Sequence, residues 1–147
     1  MFKHILVPTD GSDLSKRAAA AAIEQARVTG AKLTVLHAMP PATPLIFGEL
    51  MPVAYMPPDE HERLAGKAAD IYLGDIQAQA QAAGVECHTV KLTSDFPAQA
   101  IVDTAKKRHC DAIWMASHGR RGMAAILLGS ETQKVLAHTG LPVIVYR

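Results

Sequence analysis

Short apolar runs alternate with amphipathic stretches along the chain, and the alternation sets the class of fold. The first run, KHILVPTD, is β-branched and leucine-rich and ends in Pro-Thr-Asp-Gly, which predicts a buried strand from Lys3 to Thr9 entering a loop. From Asp13 to Thr29 the periodicity is helical: Leu14, Ala18, Ala21, Ala22, Ile23 and Ala26 form a broad apolar face, and Gly30 is placed to end it. AKLTVLHA gives a second strand. Residues 39–59 carry six prolines, which predict a long loop because proline inside a helix or central strand forfeits backbone hydrogen bonds. Leu45, Ile46, Phe47, Leu50, Val53 and Tyr55 make this insert too apolar for a solvated linker, so it packs on its own domain or on a partner, as a lid or interface or as a packed insert.

Helical spacing returns from Glu60 to Ala83 at Leu64, Ala68, Ile71 and Tyr72, and Gly84 closes it before the strand VECHTVKL. A third helix spans about Phe96 to Arg108, DAIWMAS is a fourth strand, Ser130 to Thr139 a last helix, and PVIVYR a fifth strand. The order βαβαβαβαβ predicts an α/β fold, a doubly wound parallel sheet with helices on both faces, since right-handed crossovers place them there.

Composition narrows the picture. At 147 residues and 49% apolar, the chain is expected to form one domain over residues 1–147. A net charge of +1 without a basic block argues against nucleic acid as a partner. No apolar run approaches the roughly 20 residues of a membrane helix, and the start turns polar too soon for a signal peptide, so no membrane is expected and the expected location is cytoplasmic. Cys87 and Cys110 are too few for a disulfide framework and are expected as free, buried thiols.

In such sheets ligands bind beyond the carboxyl ends of the strands, where the crossovers reverse direction. Two loops stand out there. PTDGS, after strand one, offers the Asp10 carboxylate beside Gly11 and a helix N-terminus. ASHGRRGMAAILLGS, after strand four, offers Gly119 and the pair Gly129-Ser130, where backbone N–H groups can approach an anion and a helix begins. Arg120 or Arg121 can add a charged contact, although consecutive residues seldom face the same way. The stretch is neither the three-glycine dinucleotide fingerprint nor a Walker loop. By spacing alone, a phosphate cradle and a set of ordinary turn glycines with an N-capping serine are both open.

The order of strands, together with ILVPTDGS, LTVLHA, ASHGRRG…LLGS and the closing LPVIVYR, resembles the universal stress protein family over nearly the whole chain. Nucleotide-binding members carry Gly, two residues, Gly, nine residues, then Gly and Ser or Thr; Gly119, Gly129 and Ser130 match, and Ala116 stands at the first glycine. The resemblance implies the strand order 3-2-1-4-5, which brings the two loops together, and ATP, with Mg²⁺, as the ligand. It implies that Asp10 faces the adenosine, the Ala38 backbone meets the adenine edge, and Pro8 and Thr9 shape the floor. Met115 and Ala116 then lie near the ribose, and Gly119, Gly129, Ser130 and Glu131 around the phosphates. His118 bonds a phosphate or holds the loop, the second being the commoner role for such a histidine. A metal ion would draw on phosphate and water oxygens.

Other candidates have plainer explanations. Cys87-His88 and His109-Cys110 suggest a zinc site, but in the implied order two strands separate them by about 14 Å. His37 is expected as a satisfied core histidine, Ser12, Asp13 and Ser15 as helix-capping residues, and Trp114 as strand core. Ser117-His118 lacks a third catalytic member, so any ATP hydrolysis is expected to be slow. Residues 142–146 form an apolar edge strand that a second copy would cover, and the resemblance also implies a homodimer. The expectation is an ATP-binding dimeric module, with a nucleotide-free scaffold and a slow ATP-cleaving enzyme as its rivals.

Overall fold

The computed structural model describes residues 1–42, 56–119 and 127–147. Five strands, β1 (His4–Pro8), β2 (Lys32–Met39), β3 (Cys87–Thr93), β4 (Ala112–Ala116) and β5 (Val143–Tyr146), alternate with α1 (Asp13–Thr29), α2 (Pro58–Ala82), α3 (Pro97–Lys107) and α4 (Ser130–His138). The sheet has the order β3-β2-β1-β4-β5 with every neighbouring pair parallel. The α/β expectation and the strand order therefore hold. Of the proline-rich stretch 39–59, Met39 closes β2 and Pro58 opens α2, while residues 43–55 lie outside the described residues.

Local chemistry explains the helix boundaries. Ser12 caps α1 through its Oγ, which accepts from Ser15 N–H at 3.2 Å, and Gly30 ends it at φ 72°, donating its N–H to Ala26 O at 2.8 Å. In α2, Pro58 takes the first helical position, where the missing N–H has no partner to lose and the fixed φ suits the helix. The helix therefore starts two residues before the expected Glu60. Its buried stripe is Ala69, Leu73, Ile76 and Ala80, whereas Leu64 and Ile71, expected to face the core, are 42% and 62% exposed. This stripe, two alanines with Leu73 and Ile76, is the face that packs on β2 and β3, and Leu64 and Ile71 lie off it.

Alternation along the strands feeds two cores. Ile5, Val7, Leu33 and Val35 point to one face and pack beneath α1 and α2, with Leu73 and Ile76 above them. Leu6, Leu36, Ile113 and Met115 point to the other and meet Ile101 of α3 and Val135 of α4. The central side chains Ile5, Leu6, Leu33, Leu36 and Ile113 are fully buried, each worth about 1.5–3 kcal/mol relative to exposure. The crossovers through α1 and α4 leave the carboxyl ends of β1 and β4 in opposite directions, so the point of reversal lies between those two strands.

Candidate functional site

The β1–α1 turn is organised around Thr9, which is buried. Its N–H donates to Leu36 O at 2.8 Å, its Oγ1 accepts from Gly11 N–H at 3.2 Å and lies 3.0 Å from Ser15 Oγ, and its carbonyl is 2.7 Å from His37 Nδ1. The hydroxyl thus serves the turn itself. Between the two anchored residues, Asp10 accepts Ser12 N–H on Oδ1 at 3.0 Å. Its Oδ2 occupies the space a side chain on Gly119 would fill, so any larger residue at 119 must displace the Asp10 carboxylate, and the two loops are in contact. Gly11 has φ 77°, and a Cβ there would come within 2.5–2.7 Å of the Tyr72 ring.

The second loop is tied at both ends. Ala116 is the last residue of β4, paired with Tyr146 and packed against Leu14 and Ala18, so a strand conformation suffices there and no positive φ is required. Ser117 N–H donates to Tyr146 O at 2.7 Å, Gly129 N–H to Ser117 O at 2.7 Å, and Thr132 Oγ1 reaches the carbonyls of both Ala116 and Ser117 at 3.1 Å. Gly129 is the N-cap at φ −59°, and a Cβ there would meet His118 Cα and Ser117 O at 3.1–3.2 Å, a tight approach that glycine avoids. Since the Gly129 N–H is engaged, the donors at the head of α4 are those of Ser130, Glu131 and Thr132, ahead of the first helical bond from Gln133 N–H to Gly129 O. These amides form the positive end of the helix dipole and suit an anion.

The remaining expected residues fall in different places. Glu131 turns its carboxylate to α3, accepting Ala98 N–H on Oε2 at 3.0 Å and pairing with Lys134 at 3.0 Å, which leaves its backbone amide at the α4 terminus. His118 Nδ1 lies 3.1 Å from Ser117 Oγ, a contact to a neighbouring side chain rather than to backbone. Met115 is buried in the core beneath α3 and α4. Pro8 ends β1, and Ala38 pairs with Leu92 on β3. Arg120 and Arg121 lie outside the described residues. Asp10, Gly119, Gly129 and the start of α4 converge; Thr132 and Tyr72, which helical periodicity marks only as packing, and the contact of His37 to Thr9, which strand burial marks only as core, are further parts of this region.

Two cavities among the described residues are lined in part by α2. One of about 310 Å³ lies between α1 and α2 and is lined by Thr9, Gly11, Lys16, Tyr72 and Gln79. Another of about 270 Å³ lies beyond β2, lined by Met39, Pro40, His61, Glu62 and Thr93. Neither is lined by Gly119 or Ser130, so the loop convergence is identified by its contacts and donors rather than by enclosure.

At the opposite end of the sheet, burial pushes the thiols of Cys87 and Cys110 up to about 11, the second helped by Asp111. Cys87 packs toward the α1–α2 core and Cys110 belongs to the α3–α4 core, with β2 and β1 between their strands. No group of three metal-binding side chains occurs among the described residues, and no helix among them is long and apolar enough to cross a membrane. His4 is buried with Nε2 2.8 Å from Thr34 Oγ1; burial first, then Lys32, holds its imidazole below the ordinary value.

The sequence pattern of the universal stress protein family matches residues 1–147. A universal stress protein of Thermus aquaticus is 36% identical over the full length of both chains. Among solved structures, the universal stress protein UspA of Lactobacillus plantarum is 26% identical, with a TM-score of 0.75, covering 99% of this chain and 97% of its own. A universal stress protein solved in complex with cAMP is also 26% identical, with a TM-score of 0.71 and the same coverage.

Proposed function

We propose, from the premise that this chain belongs to the universal stress protein family, that it binds an adenine nucleotide where the β1–α1 and β4–α4 loops meet. The ligand on this reading is ATP with Mg²⁺, and the protein acts as a homodimer through nucleotide-dependent binding rather than rapid catalysis. The observation that carries the reading is the contact of Asp10 Oδ2 with Gly119, at the same carboxyl end of the sheet as the amides heading α4. A relative of the same fold, 26% identical, is complexed with cAMP, which supports an adenine nucleotide as the class of ligand.

Each group has a physical task under this reading. Asp10, held by Ser12 N–H, offers an acceptor to ribose hydroxyls, and the amides of Ser130, Glu131 and Thr132 offer donors to phosphate oxygens. Ala116 keeps the ribose side of the cleft small while its carbonyl is occupied by Thr132. The ion would be held by phosphate and water oxygens, the ligands that a small divalent cation prefers. Residues 1–147 are taken as one domain working in the cytoplasm.

The test is thermal denaturation of the purified protein with and without Mg-ATP. Ligand at 100 times its dissociation constant adds about 2.7 kcal/mol, or on the order of 5–10 °C at this size. Gly119→Val, whose side chain would displace Asp10, is expected to abolish the shift. A second reading, a nucleotide-free dimeric scaffold, is favoured by Ala116 and by the engagement of the Gly129 N–H; an unchanged midpoint at millimolar Mg-ATP would select it.

A further inference from the structure

We propose that His37 and Tyr72 are positioning residues for the nucleotide turn, acting from the α1–α2 side of the sheet to hold Asp10 against Gly119. This rests on the nucleotide-binding reading above and concerns how its acidic residue is placed. His37 lies near the end of β2, buried, with Nδ1 2.7 Å from the Thr9 carbonyl; an acceptor at that distance makes Nδ1 the protonated nitrogen. Its ring stands edge-on to Tyr72, with centroids 5.4 Å apart at 81°, the geometry in which the edge of one ring meets the face of the other. Tyr72, in turn, fills the space above Gly11, where a Cβ would fall 2.5–2.7 Å from its ring carbons.

Asp10 therefore sits between two residues that are each fixed by one member of this pair: Thr9 through its carbonyl, Gly11 through the ring that lies on it. Because Gly11 is at φ 77°, the direction in which the chain leaves Asp10 depends on that residue keeping a left-handed conformation beneath Tyr72. A leucine in place of either ring would restore apolar volume but would neither donate to Thr9 O nor present a flat face to Gly11. Displacement of Asp10 by an ångström is enough to degrade a directional hydrogen bond.

The experiment is calorimetric titration with Mg-ATP of the wild-type protein, Tyr72→Leu, His37→Phe, Asp10→Asn and the double variant Tyr72→Leu/Asp10→Asn. Tyr72→Leu and His37→Phe are expected to weaken binding by about tenfold. In the Asp10→Asn background the effect of Tyr72→Leu should shrink below about threefold, since a residue acting through Asp10 has less to position. Unchanged affinity in Tyr72→Leu and His37→Phe, or a Tyr72→Leu loss that persists in full without the Asp10 carboxylate, overturns the proposal while leaving nucleotide binding intact. Absence of binding by the wild-type protein overturns both. Should Tyr72→Leu not fold, His37→Phe decides alone, because it keeps a ring of similar size and removes only the donor to Thr9: about tenfold weaker binding supports the proposal and unchanged binding ends it.

Discussion

At Gly11 two constraints coincide: a left-handed φ of 77° and the Tyr72 ring where a side chain would begin. Gly11→Ala should therefore lower stability by about 1–3 kcal/mol, read as a fall of several degrees in the melting midpoint. His4 sets a pH limit. Its imidazole is held below the ordinary value of about 6.5, so the unfolded chain binds the proton more readily than the folded one. The contribution is fully present above pH 6.5 and is lost as pH falls from there through the lower folded value. Denaturation followed from pH 7.5 to 5 should show stability declining below 6.5, with a shallower decline in His4→Gln. The thiols respond in the other direction: with both pushed up to about 11, iodoacetamide should label neither quickly at neutral pH, and half-buried Cys87 should react before Cys110.

Among the elements, α3 depends on a residue from another helix. Phe96 at its N-cap offers no capping side chain, and Glu131 of α4 supplies the acceptor for Ala98 N–H. Glu131→Ala should cost about 1 kcal/mol, measured by chemical denaturation, through loss of a cap that joins α3 to α4. Periodicity, turn residues and proline placement made the nine elements among the described residues legible to within about two residues, because each of those signals is local, whereas the strand order, which joins distant segments, came from the family resemblance. The orientation of α2 was not legible: Leu64 and Ile71 have the spacing of a core face, yet Ala69, Leu73, Ile76 and Ala80 have a helical spacing too and are the residues that are buried. The site divides in the same way. Gly119, Gly129 and Ser130 announce themselves by spacing, whereas the Glu131 cap and the Tyr72 cover of Gly11 join residues 33 and 61 positions apart, and nothing in a local pattern encodes such pairings.

For the whole molecule, the reversal between β1 and β4 places two loops from distant parts of the chain at one end of the sheet, while β5 is left as an edge. All four residues of β5 are only partly buried, and none of its outer backbone groups has a strand beside it among the described residues. Pairing with a second copy would close that edge, so sedimentation equilibrium is expected to give twice the chain mass of 15.7 kDa.

Thr132 has a consequence on a different timescale. By bonding the carbonyls that end β4 from within the first turn of α4, while Gly129 N–H holds Ser117 O, it fastens the junction to the core. The amides of Ser117 and Gly129 should then exchange with deuterated solvent only in the rare openings that expose the entire sheet, with protection close to that of Leu6 and Ile113.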